Sequence, residues 1–173
     1  MTCFDQAFNV VVGHEGGFTD DPRDPGNWTG GATGQGALRG TRWGISAASY
    51  PTLDIARLTL EDARAIYRRD YWDRVSGDKL PPPLALLVFD AAVNAGVGRA
   101  ARWLQEAVGA APDGAIGPAT LAKVQAARGV DACAEFGARR LLFMAGLPTW
   151  RVFGPGWSRR LSRLPYEAMG MRP

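Results

Sequence analysis

The sequence has very few of the residues from which most metal sites and nucleophilic sites are built. It contains one histidine, His14, and two cysteines, Cys3 and Cys133, in 173 residues. A His-rich catalytic zinc site needs two or three imidazoles, and a disulfide framework or four-cysteine zinc cluster needs more thiols. A Ser–His–Asp triad could be built only around His14. These shortages argue against metal-dependent hydrolysis and leave carboxylates to carry any catalysis, with no metal and no cofactor.

Lysine and long hydrophobic runs are also scarce. The 20 basic residues exceed the 17 acidic residues and give a net charge of +3, yet the only lysines are Lys79 and Lys123. Because the arginines form no dense block, we expect no nucleic-acid partner, although an anionic membrane or an anionic cell wall is compatible with the charge. The N-terminus resembles no signal peptide, and no apolar run is long enough to cross a bilayer. We expect a protein synthesised in the cytoplasm, without stable membrane insertion.

The order of patterns along the chain predicts a mostly α single domain over residues 1–173, with a small irregular or β-hairpin N-terminal lobe. Thr2 and Asp5 form a capping-box pattern for a helix over 2–13, and the Gly-rich segment 16–44 is a long functional loop or holds a hairpin. The remaining chain is typical of helices. Their predicted ranges are 59–71, 84–95, 99–108, a helix starting at Pro118, 130–146 and 157–164.

Glu15 is the strongest candidate for a catalytic acid. It follows the first predicted helix and precedes Gly16 and Gly17. The negative end of a helix dipole disfavours a carboxylate, so we expect a raised pKa, and a protonated carboxyl group is what protonation of a glycosidic oxygen requires. Spacing alone favours the alternative, an ordinary exposed glutamate before a glycine helix cap.

A second carboxylate is needed in most glycosidases, and Asp24 is the best candidate. It lies in a Pro-bounded turn, where a hydrated carboxylate stays ionised, whereas Asp20 and Asp21 are better explained as turn formers. Thr41 could hold a water molecule with its hydroxyl group. Its alternative role is that of a capping or turn threonine.

Asp90 and Asn94 are unusual because they lie four residues apart on one face of an otherwise apolar helix. An aspartate there must be paired or must line a wet cavity. For Asp90 we favour the paired, structural role over sugar binding, and for Asn94 the two are equally supported. Trp28 and Trp43 lie in the candidate site segment and could stack on sugars, although most buried tryptophans belong to the core.

Five blocks of sequence follow one another along the chain: HEGGF at 14–18, DPRDPG at 21–26, TRWGIS at 41–46, ARAIYRRDYW at 63–72 and FDAAVNAG at 89–96. In this order they resemble the glycoside hydrolase family 108 lysozymes, the N-acetylmuramidases found among phage endolysins. The stretch DGAIGPAT at 113–120 is similar to a motif of the peptidoglycan-binding C-terminal part of that family. The resemblance implies a lysozyme-like fold, with a catalytic region over 8–97 and a helical peptidoglycan-binding part over 98–165 packed on it.

The resemblance also implies roles for individual residues. Glu15 matches the catalytic acid of the family. The order of acid, loop aspartate and threonine is similar to that of T4-type phage lysozymes, which implies that Asp24 and Thr41 position or activate the water. The family usually runs directly from its Asp-Pro-Gly turn to the Thr-x-aromatic-Gly-Ile segment, whereas residues 28–40 intervene here, so Thr29 could take the place of Thr41.

The implied function is a monomeric peptidoglycan hydrolase that cleaves the β-1,4 bond between N-acetylmuramic acid and N-acetylglucosamine. Trp43, Asp90 and Asn94 would contact the sugars. Without a signal peptide, the enzyme would reach the cell wall after release through a holin or a secretion system. The alternatives are a lytic transglycosylase acting on the same bond, and a non-catalytic module that binds cell wall through residues 113–120.

Overall fold

The computed structural model describes residues 1–13 and 17–172. The chain forms two compact units. We call Phe8–Tyr67 the loop unit, and Met1–Ala7 together with Arg68–Pro173 the helical unit. The predicted single domain and its division near residue 97 are not tested by these units and stay predictions.

The loop unit contains little regular structure. Helix α1 (Cys3–Val11) contributes residues to both units, and helix α2 (Leu60–Tyr67) ends the loop unit. Between them lie strands β1 (Thr41–Arg42) and β2 (Ile45–Ser46), which pair antiparallel, and short 3₁₀ helices at Pro25–Asn27 and Ile55–Arg57. The ring of Phe8 packs edge-on against Tyr67, with ring centroids 5.6 Å apart.

The Gly-rich segment contains the hairpin that its turn residues predict. An isolated antiparallel bridge joins Trp28 to Leu38, and the Thr29 amide donates to the Ala37 carbonyl at 3.0 Å. A second bridge joins Thr19 to Thr41. The prediction of a small β-containing lobe near the N-terminus is therefore confirmed.

The helical unit is built around one apolar helix. The elements that follow Tyr67 are a π-helical turn at Arg68–Trp72, 3₁₀ helices at Asp73–Val75 and Gly77–Lys79, and helices α3 (Pro82–Ala95), α4 (Val97–Ala107), α5 (Pro118–Ala126), α6 (Gly129–Ala145) and α7 (Trp150–Met169). Helix α3 contacts α4, α6 and α7, and residues 84–92 are all buried. Each fully buried leucine or phenylalanine contributes about 1.5–3 kcal/mol, so α3 is the centre of the core.

An aromatic cluster extends this core. Trp72 and Phe89 are fully buried and meet edge-on at 5.5 Å, and Phe4 from α1 meets the same two rings at 5.5 and 6.0 Å. The capping box predicted for α1 is present, because the Thr2 amide donates to Asp5 Oδ2 at 2.8 Å and the Asp5 amide donates to Thr2 Oγ1 at 3.2 Å. The start of α1 is therefore fixed by the residues that predicted it.

One predicted helix is wrong in length. We expected a short helix over 157–164, but α7 runs from Trp150 to Met169 with Pro155 and Pro165 inside it. An internal proline removes a backbone hydrogen bond and costs about 3 kcal/mol. The packing of α7 on α3 and α6, with Leu164 and Ala168 buried, offsets that cost. Within the described residues, no helix is both long and apolar enough to cross a membrane.

Candidate active site

Asp24 lies at the start of a 3₁₀ turn that its own side chain stabilises. Its Oδ1 atom accepts a hydrogen bond from the Gly26 amide at 2.8 Å, and the carboxylate is otherwise exposed. Pro25 occupies the first position of the turn, where its missing N–H is not needed. The second oxygen of Asp24 therefore faces solvent with no hydrogen bond to another described residue, and is available to a water or a substrate.

The neighbouring Asp21 binds Arg23 rather than facing solvent freely. Its carboxylate binds the Arg23 side chain at 2.7 Å and accepts from the Arg23 amide at 2.9 Å. These hydrogen bonds hold the pKa of the Asp21 carboxyl group below its ordinary value. Asp21 is thus a turn former, as expected from the sequence.

A buried amide, Asn27, joins the Asp24 turn to strand β1. Its side chain is fully buried, with Nδ2 donating to the Asp21 carbonyl at 3.0 Å. That carbonyl can only accept, so the opposite edge of the amide, Oδ1, must be the acceptor for the Thr41 hydroxyl at 2.7 Å. The Thr41 proton is committed to Asn27, which leaves the lone pairs of Thr41 Oγ1 to accept a hydrogen bond from a water.

The segment 28–40 closes upon Asn27. The backbone amides of Arg39 and Gly40 both donate to the Asn27 carbonyl, at 2.9 and 3.0 Å. Thr29, the alternative to Thr41, lies within the hairpin, where its Oγ1 accepts from the Ala37 amide at 2.9 Å. Residues 28–40 therefore form a hairpin that starts and ends at Asn27. After it, Thr41 lies next to the turn that Asp24 begins.

Trp43 forms the turn between β1 and β2 in a strained conformation. Its φ of 54° and that of Gly44, 74°, are both left-handed, as a two-residue hairpin turn requires. For a residue other than glycine this costs roughly 1–2 kcal/mol. The Trp43 carbonyl accepts from the Tyr67 hydroxyl at 3.0 Å, whereas its indole Nε1 is buried and has no hydrogen-bond partner among the described residues. Strain and an unsatisfied donor at one residue suggest a functional constraint.

Trp28 is held more conventionally. Its indole Nε1 donates to the Pro22 carbonyl at 2.9 Å and so ties the hairpin to the Asp21–Asp24 turn. This hydrogen bond gives the Trp28 N–H a partner within the loop unit, which is a structural role.

Asp90 and Asn94 lie in the helical unit. Asp90 is fully buried, and its two oxygens accept from Arg140 Nη1 at 2.5 Å and from Arg160 Nε at 2.9 Å. Asn94 Nδ2 donates to the Asp90 carbonyl at 2.7 Å, and its side chain is exposed. The geometry of Asp90 matches the structural alternative, a buried ion pair, whereas its predicted contact with substrate stays a prediction.

The structure links the Asp24 turn to Thr41 through Asn27, which sequence reasoning missed. Asn27 follows a Pro-Gly pair and precedes a tryptophan, and nothing in that pattern signals a buried amide. The Arg140 and Arg160 partners of Asp90 were also missed, although an aspartate in an apolar helix did indicate that partners exist. Glu15 and its neighbours His14 and Gly16 lie outside the described residues. In the part of the chain that is described, no three His, Cys, Asp or Glu side chains form a group that could hold a metal ion.

The chain is similar to a known protein family and to solved structures. Residues 8–96 match the sequence model of a family described as glycosyl hydrolase 108. Eleven chains of solved structures match, among them the structure of Brucella abortus SagA, which is 34% identical, covers 97% of this chain and 94% of its own, and superposes with a TM-score of 0.80. No curated protein matches the sequence. The prediction of a mostly α, lysozyme-like fold is confirmed.

Proposed function

Because the chain belongs to the glycosyl hydrolase 108 family, we propose that this glycosidase is a peptidoglycan hydrolase that cleaves the β-1,4 bond between N-acetylmuramic acid and N-acetylglucosamine. The observation that carries the proposal is the Asn27–Thr41 hydrogen bond beside the Asp24 turn. This bond fixes the orientation of the Thr41 hydroxyl, and the residue that accepts it, Asn27, belongs to the turn that the Asp24 carboxylate caps. Such a pair suits the activation of a water molecule.

We assign the proton-donating role to Glu15. Hydrolysis of a glycosidic bond needs a carboxylic acid to protonate the leaving oxygen. The assignment rests on the position of Glu15 in the HEGGF block at the start of the matched region. Donation of this proton lets the leaving sugar depart as an alcohol.

Asp24 and Thr41 act on the water that replaces the leaving sugar. Thr41 Oγ1 can accept a hydrogen bond from that water, because its own proton is held by Asn27. The exposed oxygen of Asp24 is acceptor-only when ionised and can take up a proton from the water. Both groups orient the water, and the Asp24 carboxylate takes up its proton.

The remaining predicted residues would hold the sugars. Trp43 offers an indole in the same loop cluster, and Asn94 offers an exposed amide on α3. The Asn94 amide is oriented by its hydrogen bond to the Asp90 carbonyl, and a direct contact of Asp90 with the sugars stays a prediction. In this proposal the protein works as a monomer, without metal or cofactor, on the cell wall after release through a holin or a secretion system.

Product analysis on purified peptidoglycan tests the proposal. Glu15→Gln should fold normally, judged by circular dichroism, and should lose about 10²–10⁴-fold in the rate of sugar release, since it removes general acid catalysis. Wild-type products should carry a reducing-end sugar in mass spectrometry. A 1,6-anhydro end would instead show a lytic transglycosylase, and binding to sacculi without release of sugars would show a binding module.

Two threonine variants provide the matched comparison. Thr41→Ala should lower activity roughly tenfold or more, because the water loses an oriented acceptor. Thr29→Ala removes only the hairpin hydrogen bond to Ala37 and should keep near wild-type activity. The reverse order would assign the water to Thr29, and full activity in Glu15→Gln would refute the assignment of the acid.

A further inference from the structure

The end of the helical unit where α6 passes into α7 carries exposed apolar side chains. Leu142, Val152 and Phe153 are 73%, 72% and 53% exposed. Residues 146–149 connect the two helices, so Leu142 in the last turn of α6 and the other two in the first turn of α7 lie at the same end of the pair. Clustered apolar exposure of this kind marks a surface that contacts something other than water.

The charge around these side chains has one sign. Residues 136–166 contain no aspartate or glutamate and six arginines, which are Arg139, Arg140, Arg151, Arg159, Arg160 and Arg163. Four of them are neutralised by Asp90, Glu106, Glu135 or Glu167. Arg151 and Arg159 are exposed and form no ion pair with any described residue. Arg159 lies seven residues after Val152, two turns along the same face of α7.

The scaffold beneath these side chains is firmly held. The Phe153 ring lies 5.8 Å from that of Trp157, which lies 6.0 Å from Trp150. Farther along the two helices, Arg140 of α6 and Arg160 of α7 share the buried carboxylate of Asp90. The exposed side chains are therefore presented by packed aromatic rings and a buried ion cluster, which lowers the entropy lost when they bind.

We propose that Leu142, Arg151, Val152, Phe153 and Arg159, which we call the tip patch, dock on the surface of an anionic phospholipid bilayer. Apolar side chains beside unpaired cations suit the boundary between acyl chains and anionic headgroups. A second copy of the chain is a poorer occupant, because symmetric pairing would bring like-charged arginines together. Attachment is peripheral, since no described helix can span the membrane.

Co-sedimentation with phospholipid vesicles tests this proposal without any need for peptidoglycan. The wild-type protein should bind vesicles of equimolar phosphatidylcholine and phosphatidylglycerol, should bind pure phosphatidylcholine far more weakly, and should be released by salt. The double variant R151Q/R159Q should bind the anionic vesicles about thirtyfold more weakly, at about 1 kcal/mol for each charge. The double variant V152S/F153S should lose about tenfold or more on the same vesicles.

Controls come from the same unit. Val130→Ser removes an equally exposed apolar side chain at the opposite end of α6, and Arg74→Gln removes an exposed arginine outside α6 and α7. Both should bind like the wild type. If V152S/F153S unfolds, the binding of R151Q/R159Q alone tests the proposal, since Arg151 and Arg159 are exposed and form no ion pair with any described residue.

Two results would overturn the proposal. One is equal binding of wild type and R151Q/R159Q to anionic vesicles. The other is absence of vesicle binding together with a dimer in light scattering that V152S/F153S converts to monomer, which would assign the tip patch to a second copy of the chain.

Discussion

The loop unit and the helical unit use polar groups in opposite ways. In the loop unit, the buried amide of Asn27 organises backbone that has almost no regular structure, and one of its hydrogen bonds goes to the candidate catalytic Thr41. In the helical unit, an apolar helix supplies the core, and the buried Asp90 ties α6 and α7 to it through Arg140 and Arg160. A buried polar residue thus orients a reactive group in one unit and fastens helices in the other.

The largest expected loss of stability comes from removing the buried ion pairs of Asp90 in the helical unit. Asp90→Asn leaves Arg140, whose side chain is 3% exposed, as a buried charge without its counter-ion. Losing one partner of a buried ion pair costs about 3–5 kcal/mol. Urea denaturation should show this loss in the free energy of unfolding.

The partner that reaches solvent is the control for this variant. The Arg160 side chain is 40% exposed, so in Arg160→Gln the Asp90 carboxylate keeps Arg140 and stability should fall by about 1 kcal/mol or less. If Asp90→Asn lowered the free energy of unfolding by less than about 1 kcal/mol, the structural role of Asp90 would be contradicted. Direct contact with the sugars would then be the better explanation of this residue.

The second prediction concerns Asn27 in the loop unit. Its replacement should lower the free energy of unfolding less than Asp90→Asn does, and should also lower the rate of hydrolysis. Asn27→Ala removes one of the two donors to the Asp21 carbonyl, which keeps the Asp24 amide, and frees the Thr41 hydroxyl to rotate. Loss of buried hydrogen bonds should cost about 1–3 kcal/mol, and the unoriented hydroxyl should lower peptidoglycan hydrolysis about tenfold or more. Urea denaturation and the rate of sugar release measure the two effects on the same sample.

Gln35→Ala supplies the comparison, because it removes an exposed amide from the hairpin of the same unit. It should change neither measurement. If Asn27→Ala lost stability but hydrolysed peptidoglycan at the wild-type rate, Asn27 would be a purely structural residue and Thr41 would not need its orientation.

Local patterns were sufficient where the determining interactions are local. The Thr2–Asp5 capping box, Pro118 at the first position of α5 and the apolar run of α3 all predicted elements close to those observed. Asp90 was informative because burial of a carboxylate requires a partner, but nothing near Asp90 in sequence identifies Arg140 or Arg160, which lie 50 and 70 residues away.

The misses share a cause, which is that tertiary contacts decided the outcome. The last helix was predicted only over 157–164, yet α7 packs on α3 and α6 and continues past the prolines at 155 and 165. Asn27 resembles an ordinary turn residue, and its burial depends on the hairpin that closes over it from residues 28–40. In the candidate site, the residue types were predictable, whereas the group that orients Thr41 was not.

The smallest expected effect concerns a loop of the helical unit, which a buried amide, Gln105, also organises. Gln105 is 1% exposed, and its Nε2 donates to Asp113 Oδ1 at 2.6 Å and to the Ala115 carbonyl at 3.0 Å, while its Oε1 accepts from the Gly114 amide at 2.9 Å. The Ala115 amide also donates to Asp113 at 2.8 Å. The Ala115 amide and the Gln105 side chain lower the pKa of the Asp113 carboxyl group in the folded protein.

A lowered pKa makes the contribution of Asp113 depend on pH in one direction. The stabilisation is fully present above the unfolded-state pKa, about 3.9, and is lost as pH falls through the lower folded-state value. Asp113→Asn should therefore be less stable than wild type at neutral pH, and the two urea midpoints should converge below about pH 4. Asp131→Asn, which removes a surface pair with Arg128 and an exposed charge in the first turn of α6, should show a smaller difference at neutral pH. A stability gap between wild type and Asp113→Asn that stayed constant down to acid pH would contradict this prediction, because it would show that the charge of Asp113 does not contribute to stability.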